Sequence, residues 1–95
     1  MNDWVKSGGN VFEDLGFDAA EAEVLKVKTQ LKLELEKELK RQKLTQTAAA
    51  KLIGVDRPML NKVMTGKLDS ISIDKIVLMN SRLGKTVDVK VKKAS

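Results

Sequence analysis

Two short amphipathic segments of this chain meet at a single glycine, Gly54. Thr45 is a typical N-cap residue for the first segment. The apolar residues Ala49, Leu52 and Ile53 have the spacing of one helical face. Glycine adopts the left-handed conformation without a steric penalty, so it is common just after the last turn of a helix. The sequence therefore predicts a helix that turns sharply at this glycine.

The second segment has start signals of its own. Val55 is expected to fill the turn, and Asp56 is a good N-cap residue. Pro58 falls within the first helical turn, where a missing N–H loses no hydrogen bond. Leu60 and Val63 then face inward. Two short helices joined by so tight a turn have the layout of a DNA-reading helix-turn-helix.

Four groups of residues in this stretch carry a family resemblance. They are Thr45-Gln46, Ala50, Ile53-Gly54-Val55 and Thr65-Gly66-Lys67. With them, residues 45–67 resemble the Xre/Cro-repressor family, whose pattern is Thr-Gln, a small residue, apolar-Gly-apolar, a polar recognition helix and a closing Asn/Thr-Gly-Lys. The resemblance implies a mostly α, lambda-repressor-like bundle of about five helices, with a plain αα-hairpin that does not contact DNA as the alternative.

Charge is distributed unevenly along the chain. The net charge is +5, but residues 1–39 carry five basic and nine acidic side chains, whereas residues 40–67 carry seven basic and one acidic. The positive charge coincides with the predicted helix-turn-helix, as contact with DNA phosphates requires. We therefore expect double-stranded DNA to be a partner. For Lys75 and Lys85 we accept the alternative that a lysine only solvates an exposed face.

The composition excludes several kinds of site. The chain has neither cysteine nor histidine, so we expect no disulfide, no Cys/His metal centre and no thiolate or imidazole catalysis. We expect no cofactor, no metal and no enzymatic activity. A chain of 95 residues suits one small domain. Without an apolar signal-peptide core or a stretch of roughly 20 apolar residues, a cytoplasmic protein with no membrane partner is expected.

The N-terminal region divides into a polar tail and an apolar, acidic opening. Residues 1–10 are polar and are expected to form a flexible tail. Residues 11–17, Val-Phe-Glu-Asp-Leu-Gly-Phe, closely resemble the opening of the HigA-type antitoxin branch of the Xre family, whose members are encoded beside a RelE/HigB-like ribonuclease toxin. The resemblance makes these residues toxin-binding candidates: Phe12, Glu13, Asp14, Leu15 and Phe17. From the residues alone, the three apolar side chains would cover the start of the next helix, which is compatible with toxin contact.

The rest of the domain, which we place at residues 11–84, continues the helical pattern. Asp18 predicts the N-cap of a long helix that runs to about Gln42, and Glu21 completes a box-like pattern. Ser72 predicts the cap of a further helix over Ile73–Leu83. The long helix has its main apolar positions at Leu25, Leu31, Leu35 and Leu39, and its carboxylates at Glu34, Glu36 and Glu38 predict ion pairs with nearby lysines rather than a metal site.

Residues 85–95 are predicted to form a C-terminal β-strand and basic tail. Val87, Val89 and Val91 alternate with charged residues, which is the period of a strand. A lone strand cannot satisfy its own backbone, so it must pair either with a segment near Val11-Phe12 or with the same strand of a second subunit. We therefore expect these valines to take part in dimerisation.

The predicted fold assigns a role to each exposed residue of the helix-turn-helix. A homodimer would insert the helix from about Asp56 to Met64 of each subunit into successive major grooves, about 34 Å apart, of an inverted-repeat operator. The candidate base-reading residues are Arg57, Met59, Asn61 and Lys62. The candidate phosphate-binding residues are Gln46, Thr47, Lys51, Thr65 and Lys67. Pro58 departs from the glutamine usual in the family.

Three functions fit these patterns. The first is a transcriptional repressor that acts as the antitoxin of a type II toxin-antitoxin system and neutralises a cognate RelE/HigB-like toxin. The second is a stand-alone Xre regulator, such as one of phage type. The third is a protein-interaction module whose DNA face has decayed. Residues 11–43 discriminate between them, because a minimal DNA reader needs neither the acidic opening nor so long a first helix.

Overall fold

The computed structural model describes residues 11–93, which contain five α-helices and no β-strand. The helices are α1 (Val11–Asp14), α2 (Ala19–Arg41), α3 (Gln46–Ile53), α4 (Arg57–Met64) and α5 (Ile73–Arg82). The predicted mostly α fold of about five helices is confirmed. The predicted tail at residues 1–10 lies outside the described residues. Among the described helices, none combines the length and apolar character that a membrane span requires.

The longer helices begin at the predicted caps. The Asp18 side chain accepts a hydrogen bond from the Glu21 N–H at 2.8 Å and completes the predicted capping box. Thr45 Oγ1 accepts from the Ala48 N–H at 3.1 Å, and Ser72 caps α5 in the same way. Each cap satisfies one of the free N–H groups of the first turn and contributes about 1 kcal/mol. The helix starts thus follow from local sequence.

The hydrophobic core lies where α2, α3, α4 and α5 meet. Its buried side chains are Leu31, Leu35, Ala49, Ala50, Ile53, Leu60, Val63, Leu68, Ile71, Ile76, Met79 and Leu83. Burying one large aliphatic side chain contributes about 1.5–3 kcal/mol. The prediction that Leu52 faces inward is wrong: its side chain is 49% exposed, because Ala49 and Ile53, four residues apart, form the face that packs on the core. Met79 is fully buried although the sequence did not single it out.

Two buried polar side chains tie α2 to the rest of the domain. The Lys28 ammonium donates to the carbonyl oxygen of Leu68 at 2.9 Å, in the loop between α4 and α5. The Asn80 amide donates to the carbonyl oxygens of Leu31 at 3.2 Å and Ile76 at 3.0 Å. Because an unpaired polar group in a core is costly, these bonds restrict how α5 can pack against α2.

Glu38 is a buried carboxylate at the C-terminal end of α2. The Arg41 guanidinium and, at 2.6 Å, the Gln42 amide donate to it, and they lower its pKa to about 2. Lys85 Nζ lies 3.7 Å from the same carboxylate, and Gln42 also donates to the carbonyl oxygen of Leu83 at 3.3 Å. The cluster therefore fastens the segment after α5 to α2.

Ion pairs also occupy Glu34 and Glu36, the two carboxylates that precede Glu38 in the second half of this helix. Lys37 Nζ lies 3.2 Å from Glu34, and Lys32 Nζ lies 3.6 Å from Glu36. The prediction of ion pairs along α2 is confirmed. The role predicted for Lys85 is wrong, because it pairs with Glu34 at 3.4 Å instead of only solvating the surface.

The predicted β-strand at residues 85–95 is not supported in the single chain. Residues 85–93 form no strand, and the proposed pairing segment near Val11 belongs to α1 instead. A strand needs hydrogen-bond partners, and within residues 11–93 the chain supplies none. Val87 packs against the core, whereas Val89 and Val91 are 81% and 89% exposed.

We expect Glu38 to make stability depend on pH. Its pKa of about 2 lies below the ordinary value of 4.5, so its stabilising effect is complete above 4.5 and is lost as the pH falls from 4.5 towards about 2. Glu38→Gln should therefore unfold more easily than the wild type at neutral pH and approach it at the acidic end of this range. Thermal unfolding followed by circular dichroism measures the difference.

The control is Glu23→Gln, which removes a carboxylate that is 63% exposed and pairs with Lys26 on the same helix. A surface pair of this kind contributes little, so this variant should track the wild type. If the difference between Glu38→Gln and the wild type did not change with pH, the role assigned to the Glu38 carboxylate would be wrong.

Candidate nucleic-acid interface

The turn between α3 and α4 has the predicted geometry. Gly54 has a φ of +82°, and its N–H donates to the carbonyl oxygen of Ala50 at 2.8 Å. The Val55 N–H donates to the same oxygen at 3.1 Å, and the Val55 side chain packs against the core. The Asp56 carboxylate then accepts from the Met59 N–H at 2.8 Å and starts α4. The turn is therefore closed by its own backbone.

Arg82, at the end of α5, makes a hydrogen bond to the backbone of this turn. Its Nη1 donates to the carbonyl oxygen of Ile53 at 2.8 Å, which is one of the carbonyl groups that the end of α3 leaves free. A Cβ atom at Gly54 would lie 2.2 Å from the same nitrogen. No local pattern in the sequence indicates this role of Arg82, because its acceptor lies 29 residues earlier in the chain.

Helix α4 presents one polar face to solvent. Leu60 and Val63 are fully buried and anchor the inner face. Arg57 and Asn61, four residues apart, lie in one row of the outer face, and Lys62 lies in the neighbouring row. These three predicted base-reading residues are all exposed, and α4 carries them on the side away from Leu60 and Val63.

Two predicted contact residues are engaged within the domain. Met59 is half-buried and packs against the core, so it offers less of its side chain to a base than the prediction assumed. Thr65 Oγ1 donates to the carbonyl oxygen of Asn61 at 2.8 Å, and in this rotamer its proton is not free for a phosphate. Neither arrangement could be read from helical spacing alone, because each depends on contacts of the folded chain.

The other predicted phosphate-binding residues surround the start of α3 and the end of α4. Gln46 and Thr47 occupy the first two positions of α3 and are exposed. Their backbone N–H groups have no intrahelical acceptor, and the positive end of a helix attracts phosphate oxygens. Lys51 and Lys67 are exposed as well. The arrangement supplies backbone donors, an amide and two ammonium groups.

The acidic opening forms a different surface around the start of α2. The rings of Phe12 and Phe17 meet edge to face, with centroids 6.3 Å apart and planes at 77°. Phe17 also lines a groove of about 330 Å³ with Val24 and Leu25. Leu15 is 70% exposed, so the prediction that it covers the start of α2 is wrong.

The toxin-binding candidates thus form a mixed apolar and acidic surface, which we call the opening surface and define as Phe12, Glu13, Asp14, Leu15 and Phe17. Glu13 and Asp14 are exposed beside the aromatic pair. Glu21 adds a further carboxylate at the edge of the groove. Within residues 11–93, no group of three or more carboxylates could hold a metal ion.

The comparisons agree with this geometry. Residues 11–92 match the model of a family described as a helix-turn-helix domain. The chain belongs to this helix-turn-helix family. A solved structure whose name describes it as a candidate XRE family transcriptional regulator is similar to this chain, with a TM-score of 0.70 and 26% identity over 76% of this chain and 81% of that chain. No curated protein matches the chain.

These comparisons confirm the predicted helix-turn-helix and its likeness to XRE regulators. They leave the toxin, the dimer and the individual contact residues as predictions.

We expect Gly54→Ala to destabilise the domain more than Gly66→Ala. Both glycines are left-handed, with φ of +82° and +79°, and an alanine at either position costs about 1–2 kcal/mol in backbone strain. Only at Gly54 would the new Cβ displace the Arg82 guanidinium and break its hydrogen bond, whereas Gly66 faces open space. The difference should be about 1 kcal/mol in the free energy of unfolding, measured with urea.

The Arg82→Ala background provides the control. Without the guanidinium, the two alanine substitutions should become similar in their effect on stability. If they already cost the same in the wild type, Arg82 does not restrict the turn.

Proposed function

We propose that this chain is a DNA-binding transcriptional repressor of the XRE type, which binds an inverted-repeat operator as a homodimer. The single observation that carries this proposal is the exposed polar face of α4, with Arg57, Asn61 and Lys62 held outward on the buried Leu60 and Val63. A helix of this width fits the major groove of B-DNA. We assign the chain no enzymatic activity.

The side chains at this surface are of two kinds, those that can contact DNA bases and those that can contact DNA phosphates. The Arg57 guanidinium can donate to O6 and N7 of a guanine, and the Asn61 amide can pair with an adenine edge. Gln46, Thr47, Lys51 and the neighbouring basic side chains would hold the phosphates, which supplies affinity but no sequence preference. The two kinds of contact therefore predict different effects on substitution.

The proposed dimer would pair the C-terminal segments of two subunits. Val89 and Val91 are 81% and 89% exposed, and a second copy of the same segment would satisfy their backbone and cover their side chains. Val87 already packs on its own core, so we assign it to the root of this interface rather than to its centre. Two-fold symmetry then places the two α4 helices in successive major grooves, about 34 Å apart.

We expect Arg57→Ala to weaken binding to the cognate operator much more than binding to a random duplex. A bidentate base contact supplies about 1–3 kcal/mol of discrimination, which is roughly a 5- to 150-fold preference. Lys51→Ala should weaken both complexes in similar proportion, because a phosphate contact does not depend on sequence. Fluorescence anisotropy at fixed salt measures both.

The comparison requires the operator, which we expect in the DNA upstream of the reading frame. Equal proportional losses on both duplexes would move Arg57 from the bases to the phosphates. Failure of the wild type to prefer any upstream fragment over random DNA would remove the proposed repressor function itself.

We further propose that the chain acts as an antitoxin, with a stand-alone regulator as the alternative. The specific observation in favour is the opening surface, which combines exposed apolar side chains with Glu13 and Asp14. Toxins of the RelE/HigB-like kind are expected to be basic, so this surface is complementary to them in charge and offers apolar anchors. The basic face of α4 would repel such a partner.

The antitoxin role is tested with two variants in one assay. The charge reversal Glu13→Lys/Asp14→Lys combined with Leu15→Ser should lower affinity for the protein encoded by the neighbouring reading frame about tenfold or more, and it should abolish protection on co-expression. Arg57→Ala should lose operator preference and keep protection.

Substitution is preferable to truncation here. Removing residues before 40 would delete Leu31 and Leu35 from the core and unfold the domain. Protection that survives the triple substitution would place toxin contact elsewhere on the chain. A wild type that neither binds the neighbouring protein nor protects against it would favour the stand-alone regulator. The operator measurements of Arg57→Ala would be unaffected by either result.

A further inference from the structure

Lys43 has an unusual backbone conformation at the end of α2. Its φ is +54°, and it is the one non-glycine residue with a positive φ among residues 11–93. The Lys43 N–H donates to the carbonyl oxygen of Lys40 and the Leu44 N–H donates to that of Leu39, both at 3.1 Å. This paired arrangement is the usual closure of a helix through a left-handed residue.

The same chain closes its other helices in a similar way with glycine. The left-handed residues that follow α1, α3, α4 and α5 are Gly16, Gly54, Gly66 and Gly84. In each case the next N–H reaches back five residues, as Leu44 does. A lysine with a left-handed backbone is strained where glycine is not. A lysine at position 43 therefore needs an explanation beyond the turn.

The Lys43 side chain does not stabilise the domain through an ion pair. It is exposed, and within the described part of the chain its ammonium has neither an acidic nor a hydrogen-bonding partner. The negative end of the α2 dipole already has Lys40 and Arg41 in its last turn. Its charge is thus available to a partner outside the chain.

The surroundings of Lys43 favour an anion. The side chain lines a groove of about 320 Å³ together with Lys40 and with Thr45 and Gln46 at the start of α3. The one carboxylate in this groove, that of Glu36, pairs with Lys32. Two ammonium groups and the positive end of α3 therefore face the same space.

We infer that Lys43 is a DNA phosphate contact, which holds the backbone against the start of α3 beside Gln46. The inference rests on the proposed function, because it takes double-stranded DNA as the ligand. Lys43 would contact phosphate through an ammonium group, as Lys51 and Lys67 would. The evidence for Lys43 is different: its left-handed backbone is strained, and a glycine, which would remove that strain, stands at the equivalent position after each of the other helices. The lysine thus lowers the stability of the folded domain and raises its affinity for DNA.

Lys43→Gly separates the two effects, because they have opposite signs. Glycine relieves the backbone strain, so the melting temperature should rise by about 2–5 °C. The same variant should bind a mixed-sequence duplex of about 30 base pairs roughly 3- to 10-fold more weakly, and the slope of log K against log salt concentration, between about 50 and 200 mM, should fall by about 1. No operator is needed for this test.

Two controls accompany it. Lys43→Arg keeps the charge and the strain, so both the affinity and the melting temperature should stay near the wild type. Lys26→Ala removes a lysine that pairs with Glu23 on the first half of α2, and it should leave the salt slope unchanged.

Each remaining outcome overturns the inference. A rise in melting temperature with unchanged affinity and slope would mean that Lys43 does not contact DNA. A fall in melting temperature would mean that its side chain has a structural role. If the wild type fails to bind the duplex at low salt, the proposed function fails first, and Lys43 loses its ligand with it.

Discussion

The packing of α2 against α5 is the contact on which the rest of the domain depends. Leu31 and Leu35 supply its apolar part, with Ile76 and Met79 on the facing helix. Long-range hydrogen bonds then fix the register, because the side chains of Lys28, Asn80 and Gln42 each reach a carbonyl oxygen 40 or more residues away. Apolar contact favours many orientations, whereas a buried donor tolerates few.

The helix-turn-helix, formed by α3 and α4, packs against α2 and α5. Ala49, Ala50 and Ile53 bring α3 close to the core, and Leu60 and Val63 do the same for α4. Small residues on α3 permit the close approach. The hydrogen bond from Arg82 to the carbonyl oxygen of Ile53 links α5 directly to the turn between α3 and α4. Helix α5, which lies outside the proposed DNA-binding surface, therefore helps to orient the exposed face of α4.

Charge distinguishes two surfaces of the molecule. The exposed surface from Lys40 to Lys67 is basic, with Asp56 occupied as a helix cap. The opening surface is acidic and partly apolar. A basic surface suits an anionic partner such as DNA, and an acidic, partly apolar surface suits a basic protein. This difference is the physical basis for proposing both a DNA and a protein partner.

Local sequence is sufficient to specify the parts of this protein whose causes lie within a few residues. The caps Asp18, Thr45, Asp56 and Ser72 and the left-handed Gly54 each act on a backbone group at most five positions away, and all five stand as predicted. Helix number, the helix-turn-helix and the distribution of charge followed from the same local signals.

The three-dimensional fold sets the features that depend on residues far apart in the chain. It exposed Leu52 and Leu15, turned Met59 partly inward, and brought Lys28, Arg82 and Lys85 to acceptors far along the chain. It also left Val89 and Val91 without a strand, because alternating valines encode a pairing surface but not a second strand within residues 11–93. A hydrogen-bond or packing partner that lies tens of residues away leaves no mark in local periodicity, and the fold alone brings it into contact.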